Sequence, residues 1–280
     1  MSEPAQASPD LPPLIEIIRR HGLEPRKALG QNFLLDARLT LRIARATGDL
    51  AGVNVVEIGP GPGGLTRALL QAGAARVVAV ERDERCVAAL AELAEAYPGR
   101  LEIVPGDALA LDAATLVPAP RRIIANLPYN IATPLLIGWL HQIQEWQALG
   151  LMFQKEVADR LIARPRSKSY GRLSILTQWL TEADSAFDIP PGAFMPPPKV
   201  TSTVVTLRPR PEPLAPAEFG AIEKITAAAF GQRRKMLRGS LKTLGGDAEA
   251  LCRAAGVEPT ARAEELDVAQ FCALARLIAV

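Results

Sequence analysis

Cysteine and histidine are scarce in this chain: three of the first and two of the second among 280 residues. Cys86, Cys252 and Cys272 are odd in number and far apart, which excludes a disulfide framework or a cysteine zinc site and leaves them as small buried hydrophobes. With only His21 and His141 to draw on, a transition-metal centre would need clustered carboxylates, and none presents itself, so no metal is expected. No run reaches the ~18–20 apolar residues that cross a bilayer, so no membrane partner is expected. Residues 1–13 are acidic and proline-rich and lack the basic and apolar regions of a signal peptide; they read as a disordered lead on a cytoplasmic protein. A strong excess of charge is missing too. The formal net charge is +2, so the total says little about a polyanionic partner, and local clustering has to carry that question.

What is present is enough apolar material for a sizeable core, 49% of the chain against 22% charged. Leu14–Arg20 reads as a short amphipathic helix after Pro12 and Pro13, and Asp36 caps a helix to Ala46. Apolar strands then alternate with helices. Strands are expected at Val53–Ile58, Arg76–Val80, Leu101–Val104, Arg122–Ala125 and Ala148–Phe153, with helices at Leu65–Gln71, Asp83–Ala96, Thr133–Ile143 and Leu173–Thr181. Such alternation implies an α/β fold, a mostly parallel Rossmann-like sheet covered on both faces. Ser185–Ile189 and Thr201–Leu207 flank a proline-rich loop and suit an antiparallel hairpin at one sheet edge. Prolines 209, 211, 213 and 216 mark a linker, and everything from Ala217 looks helical. The expected organisation is a lead over 1–13, an α/β domain over 14–208, a linker over 209–216 and a small helical domain over 217–280.

The polar groups at the strand ends point to one site. Gly59, Gly61 and Gly64 follow the first strand of this series, where a glycine loop lets the backbone approach a ligand at a helix N-terminus. Glu81, ending the second, suits two ribose hydroxyls. Asp107, after the third, suits an adenine amine. Loop and acids fit NAD and S-adenosylmethionine equally. Asn126-Leu127-Pro128-Tyr129, after the fourth strand, fits a narrower chemistry. An exocyclic aromatic amine is a poor nucleophile because its lone pair is delocalised into the ring. The Asn126 side-chain oxygen and the Leu127 carbonyl can accept its two hydrogens and free that lone pair. Pro128 fixes the backbone, and Tyr129 can stack on an extruded base. A hydride-transfer enzyme has no comparable use for this tetrad. Phe194, in the proline-braced loop, is either a second stacking partner or a hydrophobe that anchors the loop.

Basic residues cluster twice. Arg164, Arg166, Lys168 and Arg172 form one group, with no acid between them. Arg233, Arg234, Lys235 and Arg238 form the other, and with Lys242 most of them would share one face of a continuous helix. Such local density is what phosphate neutralisation needs, although each cluster alone also suits a solvated surface.

These residues together resemble the ribosomal RNA adenine N6-dimethyltransferases, in particular the bacterial small-subunit branch linked to kasugamycin resistance. The resemblance runs through Gly30-Gln-Asn-Phe-Leu34, Glu57-Ile-Gly-Pro-Gly-Pro-Gly-Gly-Leu-Thr66, Glu81-Arg-Asp83, Gly106-Asp-Ala108 and Asn126-Leu-Pro-Tyr-Asn-Ile131. It continues in Gln154-Lys-Glu-Val157, Ser167-Lys-Ser-Tyr-Gly-Arg-Leu-Ser174, Phe194-Met-Pro-Pro-Pro-Lys-Val200 and Phe230-Gly-Gln-Arg-Arg-Lys235. It implies a class I methyltransferase fold with a helical C-terminal domain. It implies that Asn32, Leu34, Gly59, Glu81, Asp107 and Asn126 line an S-adenosylmethionine site, with Asn126–Tyr129 and Phe194 around the target adenine. It implies as partner the small ribosomal subunit, with N6,N6-dimethylation of two adjacent adenosines in the 3′-terminal hairpin loop of 16S rRNA during assembly. A large-subunit relative or a non-catalytic assembly factor are the alternatives. A monomer is the default expectation. The first ten or so residues extend beyond the resemblance.

Overall fold

A computed structural model describes residues 11–25 and 31–278. The lead over residues 1–10, the basic stretch at 26–30 with Gly30, and the last two residues lie outside them. In chain order the elements are α1 (Leu14–Arg20), β1 (Phe33–Leu34), α2 (Ala37–Ala44), β2 (Asn54–Ile58), α3 (Gly64–Gln71), β3 (Arg76–Glu81), α4 (Glu84–Ala96), β4 (Leu101–Pro105), β5 (Arg121–Asn126) and α5 (Tyr129–His141). There follow β6 (Ala148–Gln154), α6 (Lys155–Leu161), α7 (Arg172–Leu180), β7 (Thr181–Ile189), β8 (Phe194–Met195), β9 (Ser202–Pro209), α8 (Phe219–Gly231), α9 (Leu237–Ser240), α10 (Ala248–Ala254) and α11 (Val268–Ala275).

Seven strands form one sheet in the order β4-β3-β2-β5-β6-β9-β7. From β4 to β6 the strands are parallel, and β7 and β9 add the antiparallel edge. The central strands are runs of valine, isoleucine and alanine because both faces are covered; Val55, Val56, Val77, Val78, Ile123 and Ile124 are all fully buried. After β2 the chain steps outward to β3 and β4, then returns to place β5 on the other side of β2. That reversal opens a crevice beyond the carboxyl ends of β2 and β5, where open α/β sheets bind ligands.

Local signals explain most boundaries. The Asp36 carboxylate accepts from the Arg38 and Leu39 amides and starts α2. Asp83 does the same for α4 through the Arg85 amide. Three expectations need correction. α5 begins at Tyr129, not Thr133. Pro134 suited the second position of a helix, but the Ile131 and Ala132 amides already bond the Pro128 carbonyl, and the helix carries the proline inside. The segment before Leu34, read as irregular, ends in β1, which pairs antiparallel with β8. The second basic cluster does not ride on a continuous helix: α8 stops at Gly231, residues 232–236 turn, and α9 starts at Leu237. α6 went unanticipated.

The chain divides into two compact units. The first takes the residues up to 136 with 145–154 and 186–206 and holds most of the sheet. The second gathers 137–144, 155–185 and everything from 207. Buried Trp179 packs near Phe219, which also stacks on the exposed His141 ring, and buried Tyr170 and Phe271 pack on Phe230. Segments far apart in sequence make this second core, so the partition does not follow a single point in the chain.

Candidate active site

The glycine loop after β2 and the tetrad after β5 line the same cavity, as their adjacency at the strand reversal requires. Backbone of the glycine loop, the acids Glu57 and Glu81 and the tetrad all face this one cavity. Gly59 and Gly61 sit at φ +66° and +57°, a region side chains rarely occupy, and a Cβ on Gly61 would stand 3.1 Å from the Phe33 ring. Gly64 opens α3 and is small for another reason: a Cβ there would lie 2.6 Å from the Leu34 carbonyl oxygen.

Glu81 holds the loop in place. One carboxylate oxygen accepts from the Gly61 amide at 3.0 Å, the other from the Arg82 and Asp83 amides at 2.8 Å each. A carboxylate offers about four acceptor positions, so these bonds leave capacity for a ligand. Burial pushes its pKa up, and the three amides pull it back. Next to it, Asp83 is held down to about 2, chiefly by the Arg85 guanidinium, with Gln31 adding a 3.0 Å hydrogen bond.

Glu57 is the residue the sequence reading passed over. It is 1% exposed, faces the same cavity from β2, and carries one carboxylate oxygen with no hydrogen-bond partner. Burial pushes its pKa up to about 8; the nearby Thr66 hydroxyl offsets a part, although no hydrogen bond of good geometry closes, and the Glu81 charge adds to the rise. The available signal was an acid inside an otherwise apolar strand.

In the tetrad, Asn126 ends β5 and its Nδ2 donates to the Asn32 carbonyl at 3.2 Å. That bond uses Nδ2 as the donor and leaves Oδ1 as the side chain's acceptor. Tyr129 begins α5, half-buried, with its hydroxyl 2.8 Å from the Ser202 hydroxyl at the start of β9. A hydrogen bond from the far strand thus orients the aromatic ring. Burial raises the Tyr129 pKa, so the phenol stays neutral.

Of the expected cofactor residues, Asn32, Leu34, Gly59, Gly61, Glu81 and Asn126 line the cavity. Asp107 does not; exposed, it caps the following turn through the Leu109 amide and lies 3.7 Å from Arg82. Leu127, Pro128 and Tyr129 line it as well, whereas Phe194 is buried at 5% and pairs with Leu34 across β1 and β8. Its packing is that of the anchor, one of the two roles left open for it.

Of the basic residues, Arg164, Arg166, Lys168, Arg234 and Lys235 are exposed, with no acid in salt-bridge range among the described residues. Arg172 pairs with Glu223 at 3.0 Å and Arg238 approaches Glu249 at 3.6 Å. Arg233 is only partly exposed and bonds within the chain.

The chain and its fold have close parallels. The family model "Ribosomal RNA adenine dimethylase" matches residues 22–280. The chain belongs to the ribosomal RNA adenine dimethylase family. A protein of Rhodospirillum rubrum named ribosomal RNA small subunit methyltransferase A is 62% identical, over 99% of this chain and 98% of its own length. Another of that name from Paramagnetospirillum magneticum is 64% identical, over 96% and 95%. Among solved structures, a dimethyladenosine transferase from Plasmodium falciparum superposes with a TM-score of 0.73 at 25% identity, covering 86% of this chain and 95% of that one. The 23S rRNA methyltransferase ErmE superposes at 0.65 with 28% identity, covering 88% and 98%. The α/β methyltransferase fold with an antiparallel edge, expected from the sequence, is therefore the fold of this family member. No helix among the described residues is long and apolar enough to cross a membrane.

Proposed function

We propose that this family member transfers methyl groups from S-adenosylmethionine to the N6 amine of two adjacent adenosines in the 3′-terminal hairpin loop of 16S rRNA, during assembly of the small subunit. The observation that carries the reading is the shared cavity. Asn126, its amide oriented by the Asn32 carbonyl, faces the same space as the glycine loop and Glu81.

The cavity's chemistry fits the donor. Two carboxyl groups, Glu57 and Glu81, face it, and among the described residues no lysine or arginine lines it. An unpartnered buried Glu57 oxygen and a glycine loop stripped of Cβ atoms leave hydrogen-bonding capacity and space for a nucleoside. When bound, S-adenosylmethionine supplies an electrophilic methyl on a sulfonium. The protein's own groups do the rest. Glu81 shapes the loop and accepts from a ligand's hydroxyls. Asn126 Oδ1 and the Leu127 carbonyl accept from the two amine hydrogens, which restores the nitrogen's lone pair. Tyr129 stacks on the base, held by Ser202. Alignment accounts for the acceleration, and no covalent enzyme intermediate is needed. Asp107 remains a candidate for the adenine amine of the donor, reached from the rim.

RNA affinity comes from the basic loops of the second unit. The expected organisation, a methyltransferase domain over 14–208 and a helical ribosome-binding domain over 217–280 after a linker, is kept as a proposal, with a cytoplasmic monomer as the working form.

The experiment is transfer of labelled methyl groups to undermethylated small subunits, with large subunits and duplex DNA in parallel and digested RNA read by nucleoside mass spectrometry. N6,N6-dimethyladenosine from small subunits alone is expected. Label in large subunits or DNA would move the substrate to the ErmE-like alternative or to DNA. Absence of label would reduce the protein to an assembly factor.

A further inference from the structure

The sequence places two basic clusters more than sixty residues apart; the structure ties their backbones together through one arginine. The Arg233 guanidinium donates to the Tyr170 carbonyl at 2.6 Å and the Ser167 carbonyl at 3.2 Å, and its Nε donates to Glu264 Oε2 at 2.7 Å. Glu264 closes the arrangement from the other side: its own carbonyl accepts from the Arg166 amide at 2.7 Å. Arg166 sits at φ +69°, the one non-glycine residue with positive φ among those described. That conformation is strained for a residue with a Cβ and persists where surrounding bonds hold it. All these residues belong to the second compact unit.

An arginine that spends its fork on two carbonyls and a carboxylate has few donors left for phosphate. The neighbours it organises are different. Arg164, Arg166 and Lys168 stand exposed on one loop, Arg234 and Lys235 on the adjoining turn. We propose that Arg233 and Glu264 are positioning residues, and that their clamp joins the 164–170 loop to the 232–236 turn so that these cations form a single surface for the phosphates of the substrate RNA. The inference rests on the RNA-substrate reading above. It reverses the role expected of Arg233 and gives an acid a favourable part in binding a polyanion.

The sign of the Glu264 effect separates this from simple electrostatics. Removing an acid from a basic surface strengthens RNA binding if charge alone matters. The clamp predicts the opposite. Binding of undermethylated small subunits is measured for the full chain as a function of salt, with thermal unfolding as the check on folding. Glu264→Gln is expected to weaken binding at least about tenfold. It should also flatten the slope of log K against log salt by about two, since each phosphate contact contributes ~0.7–0.9 and the loop carries three cations. Unchanged or tighter binding overturns the proposal. Arg233→Lys is the second test and stands alone if Glu264→Gln does not fold. It keeps the charge and loses the fork, so it should lose as much affinity as Arg233→Gln. Binding within about twofold of the unaltered protein for Arg233→Lys, with loss for Arg233→Gln, would identify a direct phosphate contact and overturn the clamp. Failure of the unaltered protein to bind small subunits is a separate result and counts against the RNA-substrate reading instead.

Discussion

The two compact units handle charge in opposite ways. In the first, the ionisable groups at the site are buried: Glu81 is held by three amides, Asp83 by Arg85, and Glu57 is 1% exposed with one oxygen unpartnered. In the second, Arg164, Arg166, Lys168, Arg234 and Lys235 stand in solvent. The contrast follows from the tasks. Aligning an amine needs acceptors fixed before the substrate arrives, and burial keeps water from competing. Gathering a phosphate backbone needs exposed cations whose counterions can be released. Loss of a group in the first unit should therefore reduce rate or cofactor affinity. Loss of one in the second should reduce RNA affinity.

The largest expected effect is at Asn126. Asn126→Ala removes an acceptor aimed at the reacting nitrogen and should lower the single-turnover methylation rate by about 10²–10³, with RNA binding near that of the unaltered protein. A loss confined to RNA affinity would erase the contrast. Next is Glu81→Ala, which should weaken S-adenosylmethionine binding by about 1–3 kcal/mol through lost charge-assisted bonds. Unchanged calorimetric affinity would remove Glu81 from the site. Gly64→Ala sharpens the structural side. Its Cβ would lie 2.6 Å from the Leu34 carbonyl, so the backbone must move, and chemical unfolding should show a loss of about 1–3 kcal/mol.

A further effect depends on pH. Glu57 has a folded pKa of about 8 against 4.5 for the free group. Between those values the folded protein binds more protons than the unfolded chain. Stability therefore falls as pH rises through that window, by at most ~1.4 kcal/mol per unit. Glu57→Gln should flatten the stability profile between pH 5 and 8 and leave the variant the more stable of the two near pH 8. An unaltered profile would show that Glu57 does not titrate there.

How much of this was legible in the sequence also differs between the units. The glycine loop, Glu81 and the tetrad were readable because each is a short segment whose chemistry is local, and the strand alternation placed them at one sheet edge. The pairing of β1 with β8 and the Asn126–Asn32 bond were not, since no local pattern announces contacts across ninety-four residues or more. Glu57 was missed because a glutamate among valines shows its burial only once both faces of the strand are covered. In the second unit the basic residues were visible, yet what each one does was not. Arg233 and Arg234 are adjacent and identical in type, but one is bonded to Glu264 and two carbonyls and the other stands exposed.

The most direct test of the division between the units is the methylation rate of the double variant Arg234→Gln with Lys235→Gln, at saturating small subunits. The account predicts a rate within about twofold of the unaltered protein, reached only at higher subunit concentration, with a salt slope of binding flatter by about 1.4–1.8. A saturated rate reduced tenfold or more would contradict it, because the basic surface would then be setting the chemistry as well as the grip.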